Sequence, residues 1–135
     1  MFGIILVSHC GIGAEMLSAL RQIVGPQMQA EAISMGPDED MEACRKEILT
    51  TITKVNSGDG VVILTDMFGG TPSNLALSVM PKTNAVVLAG FNLPMLVKLA
   101  SMRETATLLD AVAEASAAGR KYIQLVTENL APQAD

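Results

Sequence analysis

The chain has no tryptophan, one tyrosine and three phenylalanines among 135 residues. So few flat side chains leave no platform on which nucleobases would stack. Positive charge is scarce as well: nine Lys and Arg stand against fourteen Asp and Glu, for a net charge of −5. Nucleic acid is excluded as a partner on the same ground, because phosphate contacts need clustered cations. Only two cysteines are present, Cys10 and Cys44, far apart and outside any C-x-x-C pattern. With a single histidine, His9, they make no zinc-ligand set, so no metal is expected. Such sparse, unpaired cysteines suit a reducing cytoplasm. No apolar run approaches the roughly 18 residues of a membrane helix. The first positive charge, Arg21, follows the first apolar stretch, so the signal-peptide pattern fails. A soluble cytoplasmic protein is expected.

Half of the residues are hydrophobic and only 17% are charged, which suits a sheet covered on both faces. The apolar runs are short: "FGIILVS" (2–8), "AEAISM" (30–35), "GVVILT" (60–65) and "NAVVLAG" (84–90). Three of them are continuously apolar, the mark of strands buried on two faces. Helical patterns lie between them. The first carries Leu17, Leu20 and Val24 and stops at Gly25-Pro26. The second carries Met41, Cys44, Ile48, Ile52 and Val55 on one face, with Asp38, Glu39 and Asp40 where carboxylates favour a helix start. Further helices are predicted over 71–80, with Thr71 as cap, over 93–102, opened by Asn92 and Pro94, and over about 105–118, closed by Gly119. "YIQLVT" (122–127) reads as a last strand and 131–135 as a frayed tail, leaving one domain over 1–130. This alternation predicts an α/β, doubly wound, mostly parallel sheet.

Ligands of such sheets bind beyond the carboxyl ends of the strands, where the strand order reverses. In the order 2-1-3-4, that place lies between the first strand, which ends at His9, and the third, which ends at Asp66. A carboxylate that accepts from one imidazole nitrogen fixes the tautomer and frees the other nitrogen as a nucleophile. Ser8 would point to the opposite side of the strand and makes no hydrolase elbow. The loop "DMFGGTP" adds Gly69 and Gly70, which let backbone approach a ligand, and Thr71 at a helix start, where free N–H groups attract an anion. By local pattern alone that loop is equally a plain capped turn. "GIG" at 11–13 is not a dinucleotide fingerprint, and no phosphate-binding lysine loop occurs, so no nucleotide or other cofactor is expected.

Taken together, "IILVSH", "GVVILTDMFGGTPSN" and "AGFNLPMLVKLA" resemble the IIA component of the mannose-family sugar phosphotransferase system over almost the whole chain. The resemblance implies a flavodoxin-like homodimer in which the last strand, "YIQLVT" here, runs antiparallel and is exchanged between protomers. It implies a protein that takes a phosphoryl group from the phosphocarrier HPr onto a histidine and passes it to a IIB partner, meeting the membrane only indirectly through permease components. The phosphorylated histidine falls on His9, its orienting aspartate on Asp66, and the hydroxyl that contacts the phosphoryl group on Thr71, beside the Gly69 and Gly70 amides that the loop pattern offers to the same group. Two departures stand out. Cys10 occupies the place of a usual glycine with one extra residue in the turn, and Lys98 stands where the family often has Glu.

Three other readings share the pattern. A regulatory module would use the phosphorylation state of His9 to select partners without moving sugar. The phosphotransferase subunit of dihydroxyacetone kinase has a similar histidine but typically a D-M-G-S loop, unlike "DMFGGTP". A small-molecule-binding flavodoxin-like domain would place its ligand over Gly11–Gly13 instead.

Overall fold

The computed structural model describes residues 1–127; the tail expected over 131–135 lies outside them. Among the described residues there are four strands: β1 (Gly3–His9), β2 (Ala30–Met35), β3 (Val61–Thr65) and β4 (Ala85–Ala89). They form one sheet in the order β2-β1-β3-β4, with every pairing parallel, as the alternation of strands and helices predicts. Among the described residues, α-helices connect and follow them: α1 (Ile12–Val24), α2 (Met41–Val55), α3 (Thr71–Val79), α4 (Leu93–Met102) and α5 (Leu108–Lys121).

The continuous apolar runs now have their reason. Successive residues of β1 enter opposite layers, and both layers are closed. Ile4 and Leu6 pack with Val62 and Leu64 against Leu20 of α1 and Leu96 and Leu99 of α4. Ile5 and Val7 pack with Ile63 against Ile48 and Ile52 of α2 and Leu75 of α3. The acidic run before α2 is a helix start: the Asp40 side chain accepts from the Glu42 backbone N–H at 3.0 Å. Cys44 is buried on the inner face of α2, and burial, followed by Glu39, Glu47 and Asp40, pushes its thiol pKa up. It is a packing residue.

The amino ends of the strands are tied by Arg103, whose side chain is only 3% exposed. Its Nη2 donates to the Phe2 carbonyl at 2.8 Å and the Gln29 carbonyl at 3.2 Å, and its Nε donates to Phe2 at 3.3 Å. Its Nη1 reaches Gln27 Oε1 at 3.2 Å. The guanidinium thus joins the starts of β1 and β2 to the end of α4.

Two expectations at the carboxyl-terminal side need correction. The last helix does not stop at Gly119 but runs to Lys121. A Cβ at Gly119 would lie 3.0 Å from Met95 Cε and 3.3 Å from Asn92 Oδ1, so glycine here lets α5 lie close on α4. Its carbonyl accepts from Asn92 Nδ2 at 2.9 Å, while Asn92 Oδ1 accepts from the Met95 N–H at 3.0 Å and caps α4. The strand expected at 122–127 is not formed either. Tyr122 ends α5, residues 123–125 are irregular and 126–127 are helical. The Tyr122 and Ile123 N–H groups, which a strand ladder would need, donate to the Ala118 and Arg120 carbonyls and finish the helix.

Candidate functional site

The register of β1 on β3 sets Val7 beside Thr65, so the residues that follow, His9 and Asp66, leave the sheet together at its carboxyl pole. The strand-order reversal brings them into contact across 57 positions of chain. His9 Nδ1 lies 2.8 Å from Asp66 Oδ2, and the His9 backbone N–H donates to that same oxygen at 2.8 Å. Asp66 Oδ1 accepts from the Met67 N–H at 3.0 Å.

Burial alone would raise the Asp66 carboxyl. The hydrogen bonds from the His9 backbone and ring, the charge of that ring and the Met67 N–H outweigh it and hold the group below the ordinary carboxylate range. Asp66 is therefore ionised and only accepts, so His9 Nδ1 must carry the proton. The lone pair is left on Nε2. The Asp66 side chain is 11% exposed and that of His9 47%, so the carboxylate is covered while the ring stands open.

The loop between β3 and α3 forms the other wall. Gly69 turns the chain at φ 89°, in the left-handed region that glycine adopts without strain. Gly70 lies against the ring: a Cβ there would come within 2.9 Å of His9 Cε1 and 3.5 Å of Nε2. Gly70, and not Thr71, is the residue before α3, and it offers extended backbone without a side-chain cap. Thr71 is the first helical residue, exposed, with Pro72 beside it. The free N–H groups of this helix start accordingly sit next to the imidazole, the arrangement that receives an anion.

The turn after His9 is unusual. Cys10, exposed, adopts φ 48°, a left-handed conformation uncommon for a residue with a Cβ. Its backbone N–H donates to the Met35 carbonyl at 2.8 Å, which fastens the turn to the end of β2. Apolar side chains stand out around the site, with Phe68 78% exposed and Met67 54% exposed.

The model of the PTS system fructose IIA component family, EIIA-man, matches residues 3–116. The chain belongs to this family. Among its relatives, the sorbose-specific EIIA component of Lacticaseibacillus casei is 33% identical over 98 residues, 72% of this chain and 70% of that protein. The mannose-specific EIIAB component of Escherichia coli (strain K12) is 29% identical over 123 residues, 90% of this chain. The chain spans 38% of the length of that relative. An EIIA crystal structure from Streptococcus agalactiae superposes with a TM-score of 0.87 at 24% identity, covering 95% of this chain and 99% of that one, and shows the same fold.

Within this EIIA-man chain, of the residues singled out in the sequence, His9, Asp66 and Gly70 converge on one point, Gly69 shapes the turn, and Thr71 opens the adjoining helix. Lys98 lies on α4, beside a cleft shared with Leu93, Pro94, Val97 and Tyr122. Among the described residues no helix is long and apolar enough to cross a membrane.

Proposed function

We propose that this chain is a phosphocarrier that takes a phosphoryl group from phosphorylated HPr onto His9 and hands it to a IIB partner of a sugar phosphotransferase system. The observation that carries the reading is an exposed imidazole whose Nδ1 is held by an ionised carboxylate at 2.8 Å, in a member of the EIIA-man family.

Nε2 attacks phosphorus in line with the bond to the donor's ring nitrogen. That bond breaks and the donor nitrogen leaves with the electron pair. The Nδ1 proton stays in place, so the His9 ring becomes cationic as the Nε2–P bond forms, and Asp66 stabilises it. The N–H groups at the start of α3 and the Thr71 hydroxyl face the equatorial oxygens, with Gly69 and Gly70 leaving them room. Transfer to IIB is the same exchange in reverse, with the acceptor nucleophile displacing Nε2. The exposed Phe68 and Met67 beside the ring suit a donor and an acceptor that are both proteins.

The protein works in the cytoplasm as a homodimer in this reading and meets the membrane through permease components alone. Support for a second copy comes from the outer edge of β4, which pairs with no strand among the described residues, and from Tyr122, Ile123, Leu125 and Val126, all apolar and exposed nearby in sequence. The test is incubation with radiolabelled phospho-HPr. Acid-labile label on the wild-type chain and none on His9→Ala is expected; label retained on the variant would overturn the assignment.

A further inference from the structure

We propose that Ser8 is a positioning residue for His9, acting through the backbone turn that follows it. The inference rests on the reading of His9 as phosphoryl acceptor. Ser8 is fully buried on the α1 side of the sheet, on the face of β1 away from the His9 ring. Its Oγ accepts from the Gly13 N–H at 2.8 Å and donates to the Cys10 carbonyl at 3.2 Å. One hydroxyl therefore ties residues 8, 10 and 13 into a closed loop, with His9 inside it.

The tie answers two local needs. Gly11 precedes α1 without any side-chain cap, so the Gly13 N–H, one of the free donors at the helix start, would be buried without a partner. Ser8 supplies the cap from the strand instead. Cys10 must also be kept at φ 48°, and both of its backbone polar groups are fixed: the N–H by Met35 and the carbonyl by Ser8. Gly13 completes the fit, because a Cβ there would lie 3.1 Å from Ser8 Oγ and 3.2 Å from Leu6 Cβ. The second glycine of "GIG", a stretch that matches no nucleotide motif, thus serves this contact.

The consequence reaches the ring through geometry. The His9 backbone N–H and Nδ1 both require one oxygen of Asp66, so the strand end must keep its direction to within a fraction of an ångström. With its neighbours on both sides joined, His9 cannot tilt without breaking the Ser8 bonds. Loss of the hydroxyl lets the turn relax, and the ring leaves the carboxylate part of the time.

The experiment compares Ser8→Ala, Ser8→Cys and Ser8→Thr by two readouts that need no protein partner. The first is the tautomer state of His9 in nitrogen-15 NMR; the second is the rate at which phosphoramidate labels the ring. Ser8→Ala is expected to replace the single Nδ1–H tautomer by a mixture and to slow labelling about tenfold. Ser8→Cys, of similar size but a weak hydrogen-bonding group, should follow it, and Ser8→Thr should restore both readouts. If Ser8→Ala does not fold, the Cys and Thr variants carry the comparison. A wild-type tautomer and labelling rate in a folded Ala or Cys variant would overturn the proposal, and so would a Thr variant as impaired as Cys. Transfer from HPr is measured separately, so failure of the phosphocarrier reading would show as an unlabelled wild type in that assay alone.

Discussion

The two N–H groups of His9, backbone and ring, converge on a single oxygen of Asp66, each at 2.8 Å. Strand end and side chain are thereby oriented by the same atom. The arrangement needs an acceptor that keeps its charge, which an amide does not. Asp66→Asn should leave the fold intact and slow phosphorylation of His9 by roughly 10²-fold. Single-turnover transfer from phospho-HPr, read beside a thermal melt, checks this; an unimpaired rate would remove Asp66 from the mechanism.

The lowered pKa of Asp66 gives a pH dependence with a definite sign. Burial opposes the shift, but the His9 and Met67 N–H groups win, so the folded state holds the carboxylate more tightly than the unfolded chain does. Its contribution to stability is complete above the unfolded value, near pH 4, and is lost as pH falls through the lower folded value. The stability gap between wild type and Asp66→Asn should therefore narrow on acidification below about pH 4. Urea titrations between neutral and acid pH measure it; a gap that widens on acidification would contradict the assignment.

Gly70 is needed for the room it leaves. A Cβ at 2.9 Å from His9 Cε1 forces the ring to move. Gly70→Ala should lower the rate of phosphoryl acceptance between about tenfold and a hundredfold while shifting the melting temperature little. Kinetics and calorimetry on one preparation separate the two effects.

Arg103 should behave in the opposite way. Arg103→Met removes both guanidinium donors from the Phe2 carbonyl and leaves the Gln29 carbonyl with the Ile4 N–H alone, a loss of about 1–3 kcal/mol. Denaturant unfolding reports it. Transfer activity per folded molecule should be unchanged, since the residue lies at the far pole of the sheet.

A solution mass near twice 14.2 kDa is expected by light scattering. A monomer across the working concentration range would overturn the dimer and leave the His9 chemistry standing.

The strands and the His9–Asp66 pair were legible because both follow from short-range signals. Buried parallel strands read as unbroken apolar runs, and the strand-order reversal then dictates which strand ends meet. Strand 122–127 misled for the same reason. "YIQLVT" has the composition of a strand, but a ladder depends on a partner edge that local composition does not describe, and the N–H groups of Tyr122 and Ile123 end a helix instead. Gly119 looked like a stop signal because its packing on Met95 involves a helix far away in the chain. Ser8 was legible as facing away from the imidazole but not as the tie across the turn. That role requires Cys10 to sit at a positive φ, an angle that residue type alone does not suggest. Arg103 gave no signal at all, since its acceptors are the backbone carbonyls of residues 2 and 29 and the side-chain amide of Gln27, all more than seventy positions away.

The guanidinium of Arg103 closes one rim of the sheet while the imidazole opens on the other, with the whole apolar interior between them. Endurance and reactivity are consequently lodged at separate addresses. Sequence drift can make this protein hardier or frailer without retuning its chemistry, and can redirect its chemistry without loosening its frame.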